Sequence, residues 1–88
     1  MKWNVVYTAQ ALKDLKKLDR FTASFITGWV RKKLMDCENP RALGKPLTAN
    51  RRGQWRYRIG DYRLIAEIKE NELIILALSI GHRRDIYD

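Results

Sequence analysis

The sequence predicts an α+β domain in which two N-terminal antiparallel helices pack on one face of a four-stranded antiparallel sheet, in the order β-α-α-β-β-β. Three observations predict it. The stretches 9–20 and 22–34 repeat apolar residues at helical spacing. Gln54 to Ile59 and Tyr62 onward alternate in character around Gly60-Asp61, the pattern of a hairpin. Glu72 to Ile80 is almost continuously apolar and bounded by turn residues, as in an interior strand partly covered on both faces. At 88 residues the chain forms a single domain, 1–88, too small for two independent cores.

Trp3 to Tyr7 is short and β-branched, a first strand. Thr8 can cap the helix that follows, whose apolar stripe is Ala11, Leu12, Leu15 and Leu18. Thr22 or Ser24 can cap a second helix, with Phe25, Ile26, Trp29, Val30 and Leu34 turned inward and Arg31, Lys32 and Lys33 in water. Asn39-Pro40 stops it, because the residue before proline disfavours helical backbone. Residues 40–52 show no sustained period and read as an ordered loop ending in Arg51 and Arg52. Glycine at the first central position of Gly60-Asp61 suits a type II′ turn, which sets Ile59 opposite Tyr62, Arg58 opposite Arg63 and Tyr57 opposite Leu64. Gly81 ends the last strand and HRRDIYD closes the chain.

That register carries the functional argument. Trp55, Tyr57, Ile59, Tyr62 and Leu64 share one face; Arg56, Arg58 and Arg63 crowd the other. Like charges directly opposite on a sheet destabilise it by about 0.2–1 kcal/mol per pair before screening, so folding gains nothing from the arrangement. A solvated outer face could be built as well from lysine, glutamate and threonine; an all-arginine cluster suits phosphate.

Composition agrees. Lys and Arg number 18 against 10 Asp and Glu, a net charge of +8, which points to an anionic partner. Cys37 is the only cysteine, which excludes an internal disulfide and fits a reducing cytoplasm. No run approaches the roughly 18 apolar residues of a membrane span, and no long helix combines a basic face with exposed aromatics, so no membrane partner is expected. Asp85 and Asp88 join no metal-binding set, and neither metal nor cofactor is expected. His82, Arg83, Arg84 and Tyr87 follow the last strand and can reach one end of the arginine face. RNA cleavage by its own 2′-hydroxyl needs removal of the 2′ proton, stabilisation of charge on phosphorus and protonation of the departing 5′ oxygen. The arginines can supply the second; His82 is the one histidine, so a paired-histidine mechanism is excluded.

The segments YTAQALKDLKKLD, NPRALGKPL, WRYRIGDYRLIAEI and SIGHRRDIYD together resemble the RelE/ParE toxin superfamily of type II toxin–antitoxin modules, over nearly the whole chain and with RelE-type mRNA interferases as the nearer branch. The resemblance implies a RelE-like fold and a cytoplasmic toxin neutralised by a cognate acidic, RelB-like antitoxin. It further implies a metal-independent endoribonuclease that enters the A site of the 30S subunit beside rRNA, cuts mRNA there and arrests translation and growth. Matched residue by residue, Arg63 and Arg83 stabilise the phosphate and transition state, Arg56 and Arg58 position the RNA with help in proton transfer, and Tyr87 stacks a base. Arg51, Arg52 and Arg84 extend the RNA-binding surface, and His82 replaces a basic residue, bringing in histidine chemistry. The arginines stand where some members carry lysine, a better proton carrier. The same fold also serves ParE-type gyrase inhibition, or antitoxin binding without catalysis.

Overall fold

β-branched residues open the chain as a short strand, β1 (Asn4–Tyr7), in a computed structural model that describes residues 3–47 and 53–82. Thr8 then does two jobs with one hydroxyl. It accepts from Ala11 N at 3.1 Å, capping helix α1 (Ala9–Lys16), and donates to the Leu78 carbonyl at 3.0 Å, pinning that helix to the last strand. Helix α2 (Arg20–Lys33) begins earlier than the sequence suggests. Its cap is Asp19, not Thr22 or Ser24: Asp19 accepts from Thr22 N at 3.0 Å and from the Thr22 hydroxyl at 2.6 Å. A carboxylate is the stronger acceptor at the positive end of a helix, and Thr22 serves it as donor.

The helices bury a narrower stripe than expected. Ala11, Ile26, Val30 and Leu34 are closed off, while Leu12 and Phe25 are about half exposed, 48% and 50%. Phe25 instead lies over the hairpin turn, where a Cβ on Gly60 would stand 3.2 Å from its ring.

The remaining strands are β2 (Lys45–Pro46), β3 (Gln54–Ile59), β4 (Tyr62–Lys69) and β5 (Ile74–His82). The sheet has five strands in the order β1-β5-β4-β3-β2, and β1 runs parallel to β5. The α+β class and the helix-covered face stand; the four-stranded, wholly antiparallel sheet does not. Alternation fixes which face a side chain takes but not strand direction, and β1 meets a partner from the other end of the chain. β2 is two residues long, too short to display a period.

Between β3 and β4 the register is the expected one, Arg58 opposite Arg63 and Tyr57 opposite Leu64, across a turn whose Gly60 has φ +61 as type II′ requires. The core sits between this sheet and the helices, with Tyr57, Ile59, Leu64 and Ile75 fully buried. A register shift at Ile65/Ala66 lets both Ala77 and Ile80 point into it.

Candidate functional site

The side of β3 and β4 away from the helices carries a cleft of about 450 Å³ lined by Arg56, Arg58, Arg63, Lys45, Ala42, Leu43 and Gly44. The three arginines reach it because strand alternation sends them opposite to Tyr57, Ile59 and Leu64. Pairing sets their spacing: Arg58 faces Arg63 across one strand junction, and Lys45 faces Arg56 across the other. Two like-charge pairs thus lie side by side. Burial, and after it the neighbouring Arg63 charge, pulls the Arg56 guanidinium below its usual pKa.

One wall of the cleft is the 3-10 turn Pro40–Leu43. It is fastened to β3 by two buried or half-buried aromatics. The Tyr57 hydroxyl donates to the Pro40 carbonyl at 2.8 Å, and Trp55 Nε1 donates to the Arg41 carbonyl at 3.2 Å. Burial holds the Tyr57 phenol far above its ordinary pKa, so it remains a donor throughout the physiological range. Gly44 completes the join: a Cβ there would collide with the Arg56 carbonyl and stand 2.8 Å from the Tyr57 ring. Outside the wall, Arg41 lies over the Trp55 ring at 5.8 Å and pairs with Glu70 at 2.7 Å.

The structure therefore gathers Arg56, Arg58 and Arg63, as the sequence predicts. It does not place His82 with them. β5 continues through Gly81, so that Gly81 is the partner of Arg63 and His82 the partner of Tyr62. Alternation turns His82 to the helix side, where its ring meets Tyr62 edge-on at 5.3 Å. Glu67 is also off the cleft; it engages Lys69 at 3.5 Å. Arg51, Arg52, Arg83, Arg84 and Tyr87 lie outside the described residues. Sequence reasoning missed Lys45 and the wall Ala42–Gly44, which fell in a stretch read as loop. The one available signal was a lysine directly after a glycine and before a proline, too slight to assign a face.

As chemistry, the cleft could hold an anion: guanidinium forks can match phosphate oxygens, and paired strands fix their backbone so that little order would be lost on binding.

Residues 5–87 match the family model described as ParE toxin of type II toxin-antitoxin system, parDE. Toxin RelG of Mycobacterium tuberculosis is 31% identical over 87 residues, covering 99% of this chain and 98% of that protein. Toxin RelE of the same organism is 32% identical over 85 residues, 97% of this chain and 86% of that protein. In solved structures, a chain of the toxin-antitoxin complex RelBE2 from Mycobacterium tuberculosis superposes with a TM-score of 0.85 at 28% identity, over 97% of this chain and 95% of that one.

Proposed function

Because the chain belongs to the ParE toxin family of type II toxin–antitoxin systems, and is a toxin of the RelE/ParE fold, we propose that its activity is metal-independent cleavage of mRNA in the ribosomal A site. The observation that carries this reading is the convergence of Arg56, Arg58 and Arg63 on one cleft. In the proposed reaction the 2′-oxygen attacks the adjacent phosphorus as it loses its proton. The bond from phosphorus to the 5′ oxygen breaks, and that oxygen takes up a proton, leaving a 2′,3′-cyclic phosphate. Arg63 and Arg58 hold the phosphoryl oxygens as charge accumulates, Arg56 and Lys45 position the flanking backbone, and the resemblance carried by SIGHRRDIYD assigns Arg83 to the phosphate and Tyr87 to base stacking. An acidic antitoxin would cover the same cations, with a strongly salt-dependent association rate.

Primer extension on translating ribosomes tests the reading. Cleavage should fall by roughly 10²–10³-fold on losing a single charge-stabilising donor such as Arg63, and unchanged cleavage in Arg63→Ala plus Arg83→Ala would end it. His82→Ala locates proton transfer. A drop of about 10²–10⁴-fold would make His82 the general base; a change of a few fold, the outcome its helix-side position favours, leaves proton transfer to groups in the cleft.

A second reading is inhibition of DNA gyrase, favoured by the ParE description of the matching family. Induced DNA damage with translation intact would select it. We rank it below because the two curated relatives carry RelG and RelE names over nearly their whole length.

A further inference from the structure

Cations explain only part of the cleft. Leu43 is 40% exposed, yet nothing about its backbone is loose. The turn that carries it is capped by Asn39, whose Oδ1 accepts from Arg41 N at 3.1 Å, and is tied to β3 through Pro40 and Arg41. Gly44, which follows, packs flat against Arg56 and Tyr57. A large apolar side chain, two-fifths of it exposed, is thus held by a fixed backbone in the wall of a cleft that four positive charges also line.

We propose that Ala42, Leu43 and Gly44 form a nucleobase subsite: the cleft takes an unpaired nucleotide with its phosphate on Arg56, Arg58 and Arg63 and its base against Leu43. This rests on the RNA reading above and names how the same cleft tells a nucleotide from a bare polyanion. A nucleotide carries an anion and a flat, weakly polar ring in one unit, which matches a cleft with cations on the strand side and aliphatic surface on the wall. An extended acidic peptide matches it less well, because neighbouring side chains point to opposite sides of the strand. The base must be unpaired, since in a duplex its faces are stacked inside and only its edges are presented.

Fluorescence anisotropy with two probes of equal length and phosphate count tests it: a single-stranded 2′-O-methyl RNA oligonucleotide, which cannot be cleaved by 2′ attack, and its abasic counterpart. Wild-type protein should prefer the base-bearing probe by about fivefold, the lower end of what stacking on an aromatic contributes, because Leu43 offers an aliphatic surface. Leu43→Ser should bring the two affinities within twofold by weakening only the base-bearing probe, and Leu43→Phe should restore or exceed the preference. Arg58→Ala should weaken both probes equally. Because Leu43 is already exposed, these variants should keep the wild-type melting temperature, which is measured alongside. Equal binding of the two probes by wild type, or an undiminished preference in Leu43→Ser, overturns the subsite while leaving the phosphate cleft standing. Failure of wild type to bind either probe would sink the RNA reading and the subsite with it. Loss in Leu43→Ser of binding to an acidic leucine-containing peptide, with both nucleic-acid probes unaffected, would make the wall a peptide site and overturn the proposal.

Discussion

Along β3 and β4 the two faces differ by one residue step. Tyr57, Ile59 and Leu64 are closed under the helices, while Arg56, Arg58 and Arg63, their neighbours in sequence, open onto the cleft. The covered face follows from burial alone, since each large apolar side chain removed from water contributes about 1.5–3 kcal/mol. The open face sets like charges opposite each other, Arg58 to Arg63 and Lys45 to Arg56. The contrast teaches that burial on the helix side can carry a like-charge arrangement on the other face, one suited to an anionic ligand. A protein whose stability is a small difference of large terms can carry such a face because the cross-strand repulsions are worth less than one buried side chain.

The sharpest way to break that comparison uses one residue from each face. Leu64→Ala should destabilise the protein by about 2–5 kcal/mol in urea unfolding, because it opens a cavity in a fully buried position. Arg58→Ala should leave stability unchanged or raise it by under about 1 kcal/mol, as the side chain is exposed and its removal relieves the repulsion with Arg63, while cutting cleavage by roughly 10²–10³-fold. If Arg58→Ala unfolds the protein, the two faces are not separable and the open face is structural.

Tyr57→Phe probes a side chain that serves both. Its ring is core, and its hydroxyl holds the Pro40 carbonyl at the cleft wall. Removing a buried donor should cost about 1–3 kcal/mol, less than the Leu64 cavity at its upper end. It should also weaken the base-bearing probe more than the abasic one, because the wall, not the arginines, loses its tie. Equal weakening of both probes would mean that the hydroxyl supports the sheet generally.

The open face alone should set the salt dependence. Each of Arg56→Ala, Arg58→Ala and Arg63→Ala should flatten the slope of log affinity against log salt by about 0.7 for a single-stranded probe. A slope unaltered in Arg58→Ala would remove that residue from the phosphate contacts.

How much of this was readable from the sequence follows the range of each signal. The Arg58–Arg63 pairing was legible because a two-residue turn and strict alternation fix register locally. The wall and Lys45 were not, since a two-residue strand has no period and its partner lies across a loop. His82 was misplaced for a related reason: taking Gly81 as the strand end left the face of the histidine open, whereas pairing through His82 forces it to the opposite face from Arg63. The parallel β1 was invisible because direction depends on what the helical crossover allows, not on side-chain pattern. Phe25 satisfies helical spacing yet ends up over the hairpin turn, as periodicity assigns a face but not the width of the surface that covers it.

The gentlest test stays wholly on the helix side. Asp19 caps α2, and hydrogen bonds from the Thr22 hydroxyl first, then from the Thr22 backbone N–H, hold its carboxyl below the ordinary 3.8. A carboxyl depressed in the folded state contributes stability that is fully present above the unfolded value and is lost as pH falls through the lower folded one. The stability difference between wild type and Asp19→Ala should therefore be constant from neutral pH down to about pH 5 and shrink below pH 4 as the wild-type carboxylate takes up its proton. Other carboxylates also titrate there, so the difference between the two proteins is the quantity to follow, by thermal unfolding at each pH. The Asp19→Asn variant keeps an acceptor for the cap and should fall between the two at neutral pH. The cleft should not register any of this: at pH 7 the affinity of Asp19→Ala for the base-bearing probe should stay within twofold of wild type. A larger change would mean that strain at the start of α2 passes through the Phe25 contact with the hairpin turn into the spacing of Arg58 and Arg63, and the independence of the two faces would have to be abandoned.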